Sequence, residues 1–237
     1  MKGELLYEGK AKQVFKVSGN DSQLILSYKN DATAFNGIKK ASFTGKGKYN
    51  NLISSKVFDF LHARGVKSHF ERSLNETEQL VKRTKIVPVE VVVRNIAAGS
   101  ITRRLGIPEK VEFAPPLVEL YFKDDGLGDP IINDEHARLL TDLSEQELAD
   151  VKTTALVINQ HLSEFFSEVN LTLVDFKLEF GRNLNGEIIL SDEVSPDTCR
   201  LWDKDTGEKM DKDVFREDLG DLLKVYEAIL NRLEAVK

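Results

Sequence analysis

The chain has 237 residues, 41 % of them hydrophobic and 30 % charged, an ordinary globular balance with enough length for a large core in one or two lobes. Thirty-nine acidic residues against 33 Lys and Arg give a net charge of −6, which excludes a general nucleic-acid binder but leaves room for a local basic pocket. The single cysteine, Cys199, excludes an intramolecular disulfide and a cysteine zinc site. It fits a reducing compartment, and the N-terminal MKGELLYEGKAK lacks the apolar run of a signal peptide. No apolar run reaches membrane-spanning length, so a cytoplasmic enzyme or binding protein with no membrane partner is expected.

Leu5 to Val17 and Gln23 to Tyr28 read as two strands joined by Ser18-Gly19-Asn20-Asp21. The first contains Gly9, Lys10, Ala11 and Lys12, with Lys10 and Lys12 on one face and Gly9 permitting close approach to the backbone. This suits nucleotide phosphates, and a solvated basic strand accounts for it as well; neither a P-loop nor a Gly-x-Gly-x-x-Gly pattern is present. Asn30 to Lys48, rich in Gly and Lys, reads as a mobile loop with solvated lysines or one ordered by a ligand. Asn50 to Arg64 carries Ile53, Val57, Phe60 and Leu61 at helical spacing, and Gly65 ends the helix. Val66 to Arg72 and Gln79 to Arg83 read as further strands. Pro88, lacking an amide donor, belongs at a strand start or a crossing between lobes, which divides the chain into 1–86 and 87–237.

Arg94 ends the apolar strand Val89 to Asn95, and Ser100 reads as the N-cap of a short helix, Ile101 to Leu105, closed by Gly106. Arg94, this helix start and Arg103-Arg104 compose a candidate anion site; the alternative is that Arg94 neutralises an acidic neighbour. Leu117 to Lys123 is a strand, and the acidic turn from Asp124 to Pro130 lacks EF-hand spacing. Ser144 and Glu147 stand at capping-box spacing before a long helix with the core stripe Leu148, Val151, Ala155, Ile158, Leu162, Phe165 and Val169. Lys212 to Val236 reads as a second amphipathic helix, with Phe215, Leu219, Leu222 and Tyr226 among its inward residues. The four histidines, at 62, 69, 136 and 161, show no metal-ligand spacing.

The richest stretch is Leu171 to Asp203. Val174, Phe176, Leu178 and Phe180 alternate with Asp175, Lys177 and Glu179, so one face buries and the other carries charge. Asn185-Gly186 turns the chain, and Glu187 to Leu190 return. If paired residue numbers add to an odd value, Asp192 joins Glu179 on one face; a one-residue slip puts Ser191 and Glu193 there instead. Two carboxylates brought together this way favour a cation between them. A solvated edge hairpin is the plain alternative.

Four motifs, YEGKAK at 7–12, VPVEVVVRNIAAGS at 87–100, LVDFKLEFG at 173–181 and SDEVSPDTCRLWD at 191–203, together resemble the SAICAR synthetase family over essentially the whole chain. The resemblance implies an α+β fold with a small N-terminal antiparallel-sheet lobe, a larger mixed C-terminal lobe and ATP in the cleft between. It also implies ligation of L-aspartate to the carboxylate of a carboxyaminoimidazole ribonucleotide, with ATP and Mg2+, by way of an acyl phosphate, in a homodimer or larger homo-oligomer. On this resemblance Gly9, Lys10, Ala11 and Lys12 cover the ATP phosphates, and Lys82 to Ile86 meet adenine through their backbone. Glu179 and Asp192 hold magnesium, which requires the odd-sum register. Arg94, Ser100 and Arg200 hold the ribonucleotide phosphate, Asp175 and Lys177 line the reaction centre, and Lys123, Asp129 and Asp197 are further substrate residues.

Two rival classes remain on the residues. A kinase-like phosphotransferase lacks support from any His-Arg-Asp or Asp-Phe-Gly motif, Asp175-Phe176-Lys177 being only a partial echo. A non-catalytic nucleotide binder has no evident use for Lys12, Lys177, Glu179, Asp192 and Arg200 together.

Overall fold

The computed structural model describes residues 1–34 and 37–235. Strands β1 (Lys2–Glu8), β2 (Lys12–Val17) and β3 (Asn20–Tyr28) form a meander, followed by the ribbon β4 (Asp31–Ala34) and β5 (Lys39–Ser42). Helix α1 (Lys46–Ala63) leads to the hairpin β6 (Phe70–Asn75) and β7 (Glu78–Lys82), completing a five-stranded sheet in the order β1-β2-β3-β7-β6. The chain then enters a second sheet with β8 (Thr84–Ile96), α2 (Ser100–Leu105), β9 (Glu112–Phe122) and β10 (Ile131–Ile132). Helices α3 (Asp134–Leu140) and α4 (Glu145–Glu168) precede β11 (Leu171–Asn183), β12 (Ile188–Ser191) and β13 (Cys199–Asp203). Helices α5 (Asp213–Arg216) and α6 (Leu222–Ala235) close the fold. The second sheet runs β10-β9-β8-β11-β12, with β13 also on β11, and every pairing among the named strands is antiparallel, the expected α+β architecture.

One face of the second sheet is closed by α4. Its capping box is complete, Ser144 accepting from the Glu147 amide and Glu147 reaching back to the Ser144 amide, a device worth about 1 kcal/mol. Leu148, Val151, Ala155, Ile158, Leu162 and Phe166 of α4 bury against Val89, Val91 and Val93 of β8 and Phe176, Leu178 and Phe180 of β11. Each larger side chain in that layer contributes roughly 1.5–3 kcal/mol of apolar burial. The opposite face of β8 and β11, carrying the charges, is left for the site. The two sheets are stitched where Ser68 bridges Leu190 and the His69 amide donates to the Leu190 carbonyl at 2.8 Å.

Several local expectations need correction. Gly9 to Ala11 lie outside the strands: the Gly9 amide bonds the Lys12 carbonyl at 2.8 Å and closes the β1–β2 turn, so Lys10 and Lys12 diverge instead of sharing a face. The expected loop from Asn30 to Lys48 contains β4, β5 and the start of α1; its residues Phe35 and Asn36 lie outside the described residues. α1 begins at Lys46 because Asn30 Oδ1 accepts from the amides of Gly45 and Gly47 at 3.2 and 3.1 Å. Ser100 is the first residue of α2, not its cap; Gly99 precedes it with no side chain to cap the helix. Pro88 lies inside β8, in a bulge where β11 steps from Glu179 to Gly181 while β8 steps from Glu90 to Ile86, so its missing donor breaks no rung.

Val174 leaves the main core face. β11 bulges against β13 between Leu173 and Asp175, which sends Val174 to a small cluster with Ala98 and Trp202. The C-terminal helix is two pieces, α5 and α6, broken by Glu217 to Asp221; Leu219 falls in the break and is 56 % exposed, not inward. Val236, its expected end, lies outside the described residues.

The hairpin register is also corrected. β11 and β12 pair Glu179 with Ser191 and Phe180 with Leu190, partner numbers that add to an even value, so Ser191 and not Asp192 stands opposite Glu179. The turn explains it. Asn183 Oδ1 accepts from the amides of Asn185 and Glu187 at 2.9 and 3.0 Å, and Gly186 takes φ 85°. That makes a three-residue loop between Asn183 and Glu187, where a two-residue Asn-Gly loop would have given the odd register.

Candidate active site

A cleft of about 830 Å³ opens between the β1–β2 turn and the charged face of β8 and β11. The faces of the two strands are set by their pairing, which places Asp175 opposite Arg94, Lys177 opposite Val92 and Glu179 opposite Glu90. Two glutamates on one rung repel. Lys177 relieves this by donating to Glu90 at 2.6 Å and Glu179 at 3.0 Å, and Lys123 donates to Glu179 at 2.6 Å. Burial opposes the charge on Lys177, but Glu179, Glu90 and Asp192 outweigh it and hold its pKa above the ordinary lysine value.

Asp192 reaches the same cleft by a different route from the one its register would give. It follows the last residue of β12 with φ 62°, a left-handed backbone that turns the chain after Ser191. Its carboxylate takes a 2.5 Å hydrogen bond from Lys12, which also donates to Glu193 at 2.8 Å. Burial raises the Asp192 pKa, yet Lys12, Lys177 and Lys123 together hold it well below the usual carboxylate range. Burial likewise opposes the Lys12 ammonium, and Asp192 and Glu193 reverse that. Among the described residues, no group of three or more His, Cys, Asp and Glu side chains could hold a metal ion by itself.

The far end of the cleft is built on arginine. Asp175 accepts from Arg94 at 2.6 Å and from Arg200 at 3.0 and 3.1 Å. Arg94 also donates to Glu119 at 2.7 Å and to Ser100 Oγ at 3.2 Å, and Arg200 to Asp213 at 2.7 Å. Gly99, at φ 65°, is the seat of Arg200: a Cβ there would lie 2.5–2.9 Å from three guanidinium atoms. Beyond Arg200, Asp197 accepts from Lys46 at 2.5 Å, Tyr226 at 2.6 Å and Lys212 at 3.4 Å. The apolar side chains of Val14, Leu24 and Val81 line the cleft near Lys82 and Ile86.

The SAICAR synthetase family model matches residues 5–233. The chain belongs to the SAICAR synthetase family. It is 63 % identical to the phosphoribosylaminoimidazole-succinocarboxamide synthase of Oceanobacillus iheyensis, with 99 % of each chain covered, and 51 % identical to that of Bacillus subtilis, covering 100 % of this chain and 98 % of the relative. Among solved structures it is similar to a type-2 SAICAR synthetase in complex with ADP, with a TM-score of 0.94, 46 % identity and 99 % of each chain covered. It is also similar to the phosphoribosylaminoimidazole-succinocarboxamide synthase of Ehrlichia chaffeensis, with a TM-score of 0.95, 43 % identity, and 99 % of this chain and 100 % of that one covered. SAICAR synthetases are ATP-dependent ligases of purine biosynthesis that join L-aspartate to carboxyaminoimidazole ribonucleotide.

The site residues read from the sequence as those of a SAICAR synthetase line this one cleft, except Ser100, which meets it through Arg94, and Arg83 and Lys85 within the stretch Lys82 to Ile86. Asp129 lines it and spends one carboxylate oxygen on the Asp124 amide at 3.0 Å. Sequence reasoning missed Glu90, Lys46, Glu193, Lys212 and Tyr226. Glu90 was within reach, since the alternation of Val89, Val91 and Val93 puts it on the face of Arg94. Lys46 and Tyr226 meet Asp197 across 151 and 29 residues, contacts with no local signature.

Proposed function

We propose that this cleft carries out the family's ligation with the following division of labour. The nucleotide base lies among Val14, Leu24 and Val81, and the phosphates run under the Gly9–Ala11 turn towards Lys12 and Lys123. The ADP complex of the structural relative supports a nucleotide here. Magnesium fits the residues present. Glu179 and Asp192 offer oxygen donors that are balanced only by ammonium groups, and two carboxylates leave the rest of a hard cation's shell to phosphate oxygens and water. Bound there, it would neutralise phosphate charge and polarise the phosphoryl group.

The ribonucleotide phosphate is held by Arg94 and Arg200, which share the Asp175 carboxylate, with Ser100 bonded to Arg94. Its carboxylate then faces Lys177. Hydroxide is a poor leaving group, so the carboxylate oxygen first takes the terminal phosphoryl group and ADP departs. The aspartate amine attacks the acyl carbon of this acyl phosphate, the C–O bond to phosphate breaks, and the nitrogen's proton passes to the departing phosphate as the amide forms. Lys177, held charged by Glu90, offsets the negative charge that develops on the acyl oxygen. The chemistry calls for positioning and charge neutralisation, with no protein nucleophile.

The observation that carries this reading is the convergence of the predicted residues on one cleft with the charge pattern that phosphoryl transfer needs. ADP and phosphate release, measured with and without the ribonucleotide and L-aspartate, tests it. Release that depends on both substrates is expected, and release indifferent to aspartate would sink it. We further propose a cytoplasmic homodimer or larger homo-oligomer, as the family resemblance implies, to be checked by light scattering. Among the described residues no helix is long and apolar enough to cross a membrane.

A further inference from the structure

The cations of the cleft differ in how well they are paired. Lys12 has Asp192 and Glu193, Lys177 has Glu90 and Glu179, Arg94 has Asp175 and Glu119, and Arg200 has Asp175 and Asp213. Among the described residues two lining cations stand apart: Lys82, at the end near Ile86, bonds only the Ser68 carbonyl at 3.4 Å, and Lys212, at the opposite end near Arg200, is weakly paired. The one carboxylate partner of Lys212 is Asp197 at 3.4 Å, and that carboxylate is already taken by Lys46 at 2.5 Å and the Tyr226 hydroxyl at 2.6 Å. Arg216 lines the cleft beside it and shares Asp213 with Arg200. Lys46, Lys212 and Arg216 therefore bring three positive charges to a corner whose carboxylates not shared with Arg200 are Asp197 and Glu193, the latter already bonded to Lys12.

The strain shows in Lys212 itself: burial, Lys46 and Arg216 lower its pKa below the ordinary lysine value, against the pull of Asp197 and Glu193. Such a spot gains when an anion enters, because the anion relieves cation repulsion and supplies the missing partner. The other anions of the reaction already have partners under the proposed division: ATP at Lys12 and Lys123, the ribonucleotide phosphate at Arg94 and Arg200. L-Aspartate brings two carboxylates and has none assigned.

We propose that Lys212, with Arg216 beside it, is the subsite that receives a carboxylate of L-aspartate and selects a dicarboxylic amino acid. The assignment rests on the ligation reading above. Asp197, Lys46 and Tyr226 are positioning residues here: they anchor the loop and hold Lys212 at the cleft wall with its charge unsatisfied. The amine of a substrate held this way is free to reach the acyl carbon.

The test is steady-state kinetics of Lys212→Gln and Lys212→Arg, with the KM of each substrate measured separately. Loss of a charge-assisted hydrogen bond predicts a rise of about 10- to 100-fold in the KM for L-aspartate in Lys212→Gln, with the KM values for ATP and the ribonucleotide moved far less. Lys212→Arg is expected to restore part of the loss. The wild-type preference for L-aspartate over L-asparagine should shrink in Lys212→Gln, since the subsite then no longer distinguishes charge. Succinate, a dicarboxylate without the amine, is expected to compete with L-aspartate in the wild type and weakly in the variant. An unchanged aspartate KM, or a rise as large for the ribonucleotide, overturns the assignment. Wild-type protein that releases ADP without needing aspartate overturns the ligation reading instead, so the two failures are told apart. A Lys212→Gln protein that does not fold shifts the decision to Lys212→Arg and to succinate competition in the wild type, where absence of competition overturns the subsite.

Discussion

Lys46 and Asp197 are both buried, with side chains 0 and 4 % exposed, and they meet at 2.5 Å. Removing either partner breaks the same ion pair, yet the structure predicts unequal costs. In Lys46→Met the Asp197 carboxylate keeps Tyr226 at 2.6 Å and gains fuller use of Lys212 at 3.4 Å. That loss should stay near 1–2 kcal/mol, since a second cation is at hand. In Asp197→Asn the Lys46 ammonium keeps no charged partner among the described residues. An ammonium left alone in a protein interior costs about 3–5 kcal/mol. The cost has a ceiling, because a lysine can shed its proton; from an ordinary value near 10.4 to pH 7 that release costs about 4.6 kcal/mol. For a chain of this size 1 kcal/mol moves Tm by about 2–4 °C, so Asp197→Asn should lower it by roughly 6–18 °C and Lys46→Met by roughly 2–8 °C. The double variant should lose clearly less than the two single losses combined, because the amide at position 197 then faces no buried ammonium. Urea unfolding at pH 7 reads all three. Equal losses in the two single variants, or a larger loss in Lys46→Met, would show that Lys212 and Tyr226 do not share Asp197 as described.

Glu179→Ala and Asp192→Ala are each expected to lower turnover roughly a hundredfold or more at saturating substrates, as for loss of an electrostatic contribution of several kcal/mol. Near-normal ADP release in either variant rejects its role. Gly99→Ala places a Cβ 2.5–2.9 Å from the Arg200 guanidinium at φ 65°, so the KM for the ribonucleotide should rise about tenfold or more, at a stability cost of about 1–2 kcal/mol. An unchanged ribonucleotide KM would mean that Arg200 does not need this seat. Burial and the neighbouring Asp213 push the Asp211 carboxyl up to about 7 from its ordinary 3.8. The folded state thus keeps a proton that the unfolded state gives up, and the stability from this group, complete below pH 3.8, is lost as the pH rises to about 7. Asp211→Asn removes that loss, so its urea midpoint should fall less than the wild type's between pH 4 and 7, by an amount worth no more than about 4 kcal/mol. Parallel pH profiles would refute it.

What was legible in the sequence follows from what is local. The stripe on α4 and the alternation on β11 are periodic within a single element, so hydrophobic spacing alone places Ile158 and Phe176 in the core. The capping box from Ser144 to Glu147 spans four residues and is found as read. The helix that starts at Lys46 was not legible, because its cap comes from Asn30, 15 and 17 residues before the amides it serves. Lys46 itself looked like one of several solvated lysines. Its burial depends on Asp197 and on Tyr226 from α6, which no window on the sequence can bring together. The charged face of β11 was readable, but its partners were not: Glu90 completes the site because β8 pairs with β11 in the register that sets Glu90 opposite Glu179.

The hairpin of β11 and β12 shows how a site can survive a wrong register. A two-residue Asn185-Gly186 turn would have carried Asp192 to the face of Glu179 by strand alternation alone. The Asn183 side chain instead gathers the amides of Asn185 and Glu187, adds one residue to the loop, and hands that position to Ser191. The chain recovers the carboxylate by ending the strand there and turning Asp192 at φ 62°, a conformation that Asp tolerates better than most residues. Lys12, arriving from the other sheet, then holds Asp192 at 2.5 Å and Glu193 at 2.8 Å. Asp192 is therefore placed by a backbone turn and an ion pair to a strand of the other sheet, not by its own sheet. Its position answers to Lys12, on the strand that follows the Gly9–Ala11 turn. Glu179, in the middle of β11, is placed by the sheet itself. Within one cleft the sheet supplies one carboxylate, and the turn after Ser191 supplies the other, paired with Lys12.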